Sequence, residues 1–400
     1  KGHVRVNDLP WYDVVLMILG AGAFFYYAFG ASRLLNMRLA LKLRDPVYIA
    51  VGIVGLLVLA ELCRRSVGVP ILCVAAFFLV YTIINFVQGG RSLAQLPHEL
   101  FYGENGVLTT PVNVCSKYIV VFIIFGAFLE RTGIANFFIA FANRLAGWSA
   151  GGPAKVAVIS SALCGMVSGS SVGNTVTTGS VTIPMMKKTG YHPDFAGAVE
   201  AAASTGGQIM PPIMGAAAFL MAEYMDLPYA TVAVKAILPA VLYFTGIFIA
   251  VHLEAKKLGL KGLSKDEMPK WADLGKKIYL LAPLVLLVWL VSSGAKTMQF
   301  SAAVSILAAV IVGFLNKDER LTFKKIFEAL EAGAKGAITV AVACAIAGMI
   351  AGCITVTGLA SILINAIVQL AGSATFIGLI LTMVCCIVLG MGVPTTANYC

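Results

Sequence analysis

Long apolar runs separated by short polar connections dominate the pattern along this chain. The longest runs approach the roughly 20 residues that an α-helix needs to cross the hydrocarbon core of a bilayer. An amphipathic surface helix is predicted at Phe323–Ala332, beside the last loop rich in lysine. The pattern predicts membrane-crossing helices over Trp11–Phe29, Pro46–Leu62, Val69–Val87, Val107–Leu129, Tyr229–Leu253, Ile278–Val291, Phe300–Leu315 and Ala337–Thr357.

Other apolar segments are too short or too interrupted to cross in one helix. About 14 apolar residues, a polar turn and about 10 further apolar residues separate Lys155 from Lys187, so neither arm reaches across roughly 30 Å of hydrocarbon. This predicts a re-entrant helical hairpin over about 154–187. The segment 194–225 is long enough to cross, but Gly206-Gly207 and Pro211-Pro212 predict a broken helix. Short helices are predicted at Phe137–Ala146, Ser361–Leu370 and Phe376–Leu389.

The composition supports an all-α polytopic membrane protein and excludes a soluble globular domain. Hydrophobic residues make up 59% of the 400 residues, charged residues only 12%, and the mean hydropathy is +0.90. The net charge of +10 does not indicate nucleic-acid binding, because the cations lie in loops between apolar runs. The positive-inside rule places two loop clusters and the pair Lys187-Lys188 in the cytoplasm, and Lys296 on the opposite face. The first cluster is Lys256, Lys257, Lys261, Lys265, Lys270, Lys276 and Lys277, and the second is Lys317, Arg320, Lys324 and Lys325.

Two stretches of the chain match each other at an offset of 225 residues. Thr132-Gly133 recurs as Thr357-Gly358, and Gly165-Met166 recurs as Gly390-Met391. The first copy carries Lys and Arg residues, whereas 357–389 carries none, so the two copies are expected to have opposite orientations in the membrane. An inverted repeat with its glycine-rich, polar segment in the same place of each copy is typical of a secondary transporter that works by alternating access.

The predicted hairpin tip, 168–175, has the residue types of an ion site. Glycine permits breaks in a helix, and backbone carbonyls and hydroxyls exposed there are oxygen ligands suited to Na⁺. The amide ends of half-helices would attract a carboxylate. Gly206, Gly207, Pro211 and Pro212 predict a second unwound segment. Close packing of small residues is the alternative at the tip, and a simple kink is the alternative at the broken helix.

Two further features leave their roles open. The string Gly169-x-Ser171-x-Gly173 also satisfies the pattern of a serine hydrolase, which requires a strand–turn–helix setting with a histidine and an acid. Only His192 among the four histidines is near it in sequence. Glu200 is either a buried carrier of a proton or ion, or a residue at the cytoplasmic interface.

Four strings resemble the large membrane subunit of tripartite ATP-independent periplasmic (TRAP) transporters, specifically the fused permease of the TAXI branch. They are Gly151–Val158, Ser168–Pro184, Ala201–Phe219 and Gly390–Tyr399. The resemblance implies an elevator-type, Na⁺-coupled importer of an organic anion in the bacterial inner membrane, fed by a periplasmic substrate-binding protein. It places substrate and ion binding at Ser168, Gly169, Ser170, Ser171, Asn174, Thr175, Gly206, Gly207, Pro211, Pro212, Gly390, Gly392, Pro394, Thr395, Thr396 and Asn398.

The resemblance also organises the chain and narrows the ion site. It implies small-subunit-like scaffold helices over 1–106, a first repeat over 107–253, connecting segments over 254–335 and a second repeat over 336–400, within a fragment of a longer protein. Na⁺ is expected around Ser168, Ser170, Asn174, Thr395 and Thr396, with no other cofactor and no catalytic residue. The alternatives are a stand-alone Na⁺/dicarboxylate or Na⁺/H⁺ carrier of related hairpin architecture, or an intramembrane serine hydrolase.

Overall fold

The computed structural model describes residues 10–103, 105–263, 268–371, 375–390, 395 and 399. The described part consists of helices and their connections and has no strand, as the apolar pattern predicts. Seven of its helices are long and apolar enough to cross a membrane. The prediction of an all-α polytopic membrane protein is therefore confirmed at this level. The chain divides into two compact units, Lys1–Asn113 with Ile338–Cys400, and Val114–Ala337.

The first unit begins with three long helices and ends with the last helices of the chain. Its core includes Leu59, Cys63, Ile71 and Ile346, all nearly inaccessible to solvent. Tyr48 donates to or accepts from His98 Nδ1 at 2.7 Å, which fixes the π-helical turn His98–Tyr102 against the second long helix. The helices are α1 (Trp11–Asn36), α2 (Leu39–Lys42), α3 (Pro46–Ser66), α4 (Val69–Gln88) and α5 (Gln95–Pro97), with α18 (Leu359–Ala371) and α19 (Thr375–Gly390) near the C-terminus.

The second unit contains the segments with unusual glycine and polar content. The helical run Thr110–Glu130 leads into it and consists of α6 (Thr110–Val114), a π-helical turn (Cys115–Ile119) and α7 (Val120–Glu130). The helices that follow are α8 (Ile134–Ala146), α9 (Gly152–Ser168), α10 (Ser171–Thr189), α11 (Pro193–Gly206), α12 (Ala216–Tyr224), α13 (Tyr229–Lys257), α14 (Trp271–Lys276), α15 (Ala282–Ser293) and α16 (Met298–Leu315).

Helices α9 and α10 form a helical hairpin. They pack against each other along their lengths and are joined only by Gly169 and Ser170. At the open end, Tyr191 Oη donates to the Gly151 carbonyl at 3.4 Å. The start of α9 and the end of α10 therefore lie next to each other. The arms contain 17 and 19 residues, about 26 and 28 Å at 1.5 Å per residue. Each arm is slightly shorter than the hydrocarbon thickness.

The segment after the hairpin is interrupted where glycine and proline cluster. Helix α11 ends at Gly206, a 3-10 turn covers Gly207–Ile209, and α12 begins only at Ala216. Prolines 211 and 212 have no backbone N–H and cannot continue the helix, so the chain between the two helices is irregular. The break lies within the predicted segment 194–225.

The predicted division of the segment 323–357 differs from the structure. The separate surface helix Phe323–Ala332 and the crossing helix Ala337–Thr357 are a single 34-residue helix, α17 (Phe323–Val356). Gly333 and Gly336 lie between the two predicted segments and pack closely on Ile123 and Ile124 of α7, and no proline lies in the helix. Close packing through glycine offsets its weak helix propensity of about 1 kcal/mol.

Candidate functional site

The hairpin tip consists of Gly169, which ends α9, and Ser170, which starts α10. Gly169 has a φ of 61°, a conformation that favours glycine, and its N–H caps the Gly165 carbonyl at 2.9 Å. Ser170 is the N-cap of α10, because its Oγ accepts from the Gly173 N–H at 3.1 Å. These two residues end one arm and start the next without an intervening loop.

The tip packs directly against the broken helix. A Cβ on Gly165 would come within 3.0 Å of the Gly207 Cα, and one on Gly169 would collide with the Met214 carbonyl oxygen. The Ile213 N–H donates to the Met166 carbonyl at 3.3 Å, which joins the irregular segment to the first arm. The structure thus brings the predicted residues Gly169 and Gly207 into one region.

Two buried amide oxygens in this region accept no hydrogen bond within the described part of the chain. Asn174 donates from Nδ2 to the Ser161 carbonyl at 2.8 Å, and Gln208 donates from Nε2 to Ser171 Oγ at 3.1 Å. Both interactions use the amide nitrogens, so Asn174 Oδ1 and Gln208 Oε1 are left without donors. A buried acceptor without a donor is rare and costs about 1–3 kcal/mol, so a cation is a suitable partner for these oxygens.

The helix ends at the site add partial charges of both signs. The C-terminal carbonyl end of α9 and the N-terminal amide end of α10 meet at Gly169–Ser170. The C-terminal end of α11 contacts α9 through Gly207, and α12 begins next to Gly215, which lies close to Gln208. Carbonyl ends of helices attract cations, and amide ends attract anions. The region therefore offers partial negative charge that suits a cation and partial positive charge that suits a carboxylate.

The remaining predicted residues of the first half have different surroundings. Thr175 Oγ1 donates to the Ser171 carbonyl at 2.8 Å, within its own helix. Ser168 and Gly206 lie beside the break, partly buried and buried respectively. Pro211 and Pro212 line a cavity of about 160 Å³ together with Tyr229, whose hydroxyl donates to the Pro212 carbonyl at 3.0 Å. The prolines therefore belong to an adjoining cavity.

The hydrolase alternative lacks its required geometry. Ser171 lies in the first turn of a helix that follows another helix, whereas a nucleophile elbow follows a strand. Within the described residues, the partner of Ser171 Oγ is the Gln208 amide, and no histidine contacts it. The local structure supports no nucleophilic role for this serine.

The second-half candidates are only partly described. Gly390 is the last residue of α19, and Thr395 is helical and exposed. Gly392, Pro394, Thr396 and Asn398 lie outside the described residues. The expected contribution of Thr395 and Thr396 to an Na⁺ site stays a prediction, and so does a second hairpin.

A feature that sequence analysis left open is a buried carboxyl group between the hairpin and α11. Glu200 on α11 is fully buried, so its carboxyl group is not exposed to solvent. Its oxygens accept from Ser161 Oγ at 2.7 Å, Thr182 Oγ1 at 2.5 Å and Ser204 Oγ at 3.1 Å, and also from Thr178 Oγ1. The pairs 178/182 and 200/204 have the i, i+4 spacing of one helix face, which was the available sequence signal.

Comparison with known proteins places this geometry in context. The sequence model of a family described as "Tripartite ATP-independent periplasmic transporter, DctM component" matches residues 54–400. The match includes the hairpin, the broken helix and α17. It begins inside α3, upstream of residue 107, where the first large-subunit repeat was expected to start.

Individual relatives are distant and cover part of each chain. A C4-dicarboxylate TRAP transporter large permease protein of Pseudomonas aeruginosa is 27% identical over 203 residues, 50% of this chain and 47% of that protein. A sialic acid TRAP transporter large permease protein of Vibrio cholerae is 26% identical over 193 residues, 48% and 45% of the two chains. This chain therefore spans about half the length of these relatives.

Proposed function

This chain belongs to the family of DctM components of tripartite ATP-independent periplasmic transporters, and on that premise we propose that it is the permease of a Na⁺-coupled importer of an organic acid. A periplasmic substrate-binding protein delivers the acid. The family is one of secondary transporters, and a multi-pass membrane protein is supported by seven apolar helices of sufficient length. The location proposed is the bacterial inner membrane.

The observation that carries the sodium proposal is the pair of buried amide oxygens, Asn174 Oδ1 and Gln208 Oε1, without donors beside the hairpin tip. Asn174 was a predicted ligand, and Gln208 extends the predicted set. Serine hydroxyls and the carbonyl end of α9 provide further oxygen atoms nearby, of the type that binds Na⁺ at unwound helices. We assign Ser168, Ser170 and Asn174 to the ion, with Thr395 and Thr396 as contributors from the second half.

The organic acid is proposed from charge and from the relatives. C4-dicarboxylates and sialic acid, which appear in the relatives' names, both carry carboxylate groups. The amide end of α10 offers partial positive charge to such a group, and bound Na⁺ would offset its negative charge. We propose that ion and substrate stabilise a closed arrangement of the tip against the break, and that an elevator-type movement of both repeats then exposes them to the cytoplasm.

The first helices are proposed to be a scaffold. Small-subunit helices fused to a large subunit, as in the TAXI branch, are proposed among the long helices α1, α3 and α4, although the large-subunit family model already covers α4 and most of α3. The scaffold would remain in place while the repeats move. A stand-alone carrier would need no additional scaffold helices before the repeats and no binding protein.

The test is uptake into proteoliposomes that contain the full-length protein, with its binding protein, a panel of labelled organic acids and an imposed Na⁺ gradient. Wild-type uptake should require both the Na⁺ gradient and the binding protein. Ser170→Ala and Asn174→Ala should each weaken the Na⁺ dependence by about tenfold or more, since each removes a proposed oxygen ligand, worth about 1.4 kcal/mol per tenfold. Unchanged Na⁺-dependent uptake in both variants would show that the ion site is assigned wrongly.

Ser180→Ala is the matched control. Ser180 lies on the same helix, is exposed and, among the described residues, bonds to its own helix through the Thr177 carbonyl at 2.9 Å. This variant should transport like the wild type. Uptake that needs Na⁺ but no binding protein would favour the stand-alone carrier instead.

A further inference from the structure

We propose that Glu200 is a proton-binding site between the hairpin and α11, separate from the proposed sodium site. Its carboxyl group is enclosed by hydroxyls from three helices: Ser161 on α9, Thr178 and Thr182 on α10, and Ser204 on α11 itself. None of the proposed Na⁺ ligands contacts the carboxyl group within the described structure. The proton would therefore be a second ligand, bound at the Glu200 carboxyl group and not at the hairpin tip.

The geometry favours a proton over a metal ion. The hydroxyl oxygens lie at hydrogen-bond distances from the carboxyl oxygens, and a Cβ on Gly179 would come within about 3.0 Å of Glu200 Cγ. Helix α10 thus packs directly on the side chain, and an ion with its own oxygen shell has no room between these atoms. A proton needs no additional space.

The charged form also lacks a cation to stabilise it. Within the described residues, no Lys, Arg or His side chain hydrogen-bonds to Glu200 or forms an ion pair with it. A fully buried carboxylate that has only neutral hydroxyl partners is costly, and such groups within transporters commonly carry protons. The cage therefore suits a group that changes between charged and neutral forms.

The hydroxyls can satisfy both forms because the two threonines have a second acceptor each. Thr178 Oγ1 also lies 2.8 Å from the Asn174 carbonyl, and Thr182 Oγ1 lies 3.0 Å from the Thr178 carbonyl. When Glu200 is charged, both hydroxyls donate to it. When Glu200 binds a proton, it donates to a threonine oxygen, and that hydroxyl turns to its backbone carbonyl. No polar group loses its partner in either form.

Other titratable groups face this region from the helices that pack against α11. Cys164 is close enough to interact electrostatically with both Glu200 and Glu130. Lys155 lies about two turns before Ser161, donates to Ser149 Oγ at 3.0 Å and lies over the Phe248 ring. The remaining titratable groups on α10 and α13 are Lys187, Lys188, Tyr229, Lys235, Tyr243, His252, Glu254, Lys256 and Lys257, with Asp194 at the start of α11. The test must therefore identify Glu200 individually.

Infrared spectroscopy of the full-length protein in lipid provides that identification. A protonated carboxyl group has a C=O stretch distinct from the carboxylate bands, so spectra are recorded from about pH 4 to about pH 9. The difference between wild type and Glu200→Gln should contain one protonated-carboxyl band, because only the wild type has a carboxyl group that binds a proton at this position. Glu223→Gln, at an exposed position of α12, should leave that band in place. A difference spectrum with only carboxylate bands at every pH would overturn the proposal.

A second pair of variants tests the cage. Thr182→Val removes one hydroxyl that hydrogen-bonds to the carboxyl group, so the frequency of the protonated-carboxyl band should differ from that of the wild type. Thr177→Val is the control, because the Thr177 hydroxyl bonds to the Gly173 carbonyl and, within the described residues, not to Glu200. An unchanged band frequency in Thr182→Val would overturn the assignment of the cage. Both measurements use the resting protein, so they remain informative whatever ion drives transport.

Discussion

At the scale of single residues, the site depends on a backbone contact that only glycine permits. Gly165 on α9 and Gly207 after α11 lie so close that a Cβ on either would overlap the other's Cα. Asn174 Nδ2 is also near both. The contact holds the hairpin tip against the break and so sets the positions of Asn174 and Gln208.

Gly165→Ala should therefore destabilise the protein. The added methyl group meets backbone atoms, which cannot move aside like a flexible side chain, and overpacking of this kind costs about 1–3 kcal/mol. Gly197→Ala is the matched control, since Gly197 is also inside a helix but has nothing within 4 Å of the added Cβ. It should be stabilising by about 0.4–1 kcal/mol. Thermal unfolding in detergent measures both, and equal midpoints would contradict the close contact.

A second residue-scale prediction concerns Asn316, which follows α16. Its Nδ2 donates to the buried Thr132 carbonyl at 2.8 Å, and its Oδ1 accepts from the Asp318 N–H at 3.1 Å. Asn316→Ala should lower stability by about 1–3 kcal/mol, because the carbonyl loses its donor. Asn136→Ala removes an exposed amide that donates to Glu319 and should change stability by less than about 0.5 kcal/mol. The unfolding midpoints of the two variants separate these outcomes.

Sequence alone could identify residue types at the site but could not place Glu200. Gly169, Ser170 and Asn174 stand out because glycine and polar residues are unusual in apolar segments. Whether Glu200 is buried depends on how α11 packs on the hairpin, and that packing is decided by contacts between segments far apart in sequence. The four hydroxyls around Glu200 are ordinary helix-compatible residues that become a cage only in three dimensions.

At the scale of elements, similar sequence produces similar local structure in the two halves. Thr132-Gly133 and Thr357-Gly358 each follow a long helix and precede a helix of 13 residues, α8 and α18. Both glycines have positive φ, 81° and 72°, and both threonine hydroxyls bond back to a carbonyl of the preceding helix at 2.7 Å. These parallels support the repeat proposal, whose inverted orientation stays a prediction.

The continuity of α17 gives an element-scale prediction. Ala334 is exposed and lies in the stretch where the sequence had suggested a break between two helices. Ala334→Pro should cost about 3 kcal/mol or more, because proline inside a helix removes a hydrogen bond and collides with the preceding turn. Ala334→Ser, which keeps the backbone N–H, should cost about 0.5 kcal/mol. Nearly equal unfolding midpoints would indicate a connection between two helices at this position.

The boundaries of most helices followed from the sequence because apolar length and proline position determine them. Helix α3 begins at Pro46 as predicted, and α13 begins at Tyr229. The predictions ended several helices early, at Phe29 and Leu253 for example, because polar residues were taken as loop. Helices instead continue through polar turns at their ends, where long side chains reach water.

At the scale of the whole molecule, the charge distribution predicts which face of the membrane each loop occupies. The contacts between loops of the second unit agree with that prediction. Lys277 Nζ pairs with Asp318 at 2.5 Å, so the loop before α15 and the loop after α16 lie at the same end of that helix pair. Lys296 connects the two helices at the other end. The loop before Lys277 also contacts the open end of the hairpin, because the Leu263 N–H donates to the Gly147 carbonyl at 2.8 Å.

Membrane-impermeant maleimide labelling of single introduced cysteines tests this arrangement. Lys188→Cys and Lys317→Cys should react only when the reagent reaches the cytoplasmic face, and Lys296→Cys only from the periplasmic face, because positive clusters remain inside. All three positions are exposed, and the wild-type protein gives the background from its native cysteines. Labelling of Lys188 and Lys296 from one face would mean that the hairpin's open end and the α15–α16 turn share a side. The positive-inside assignment of one of these two loops would then be wrong.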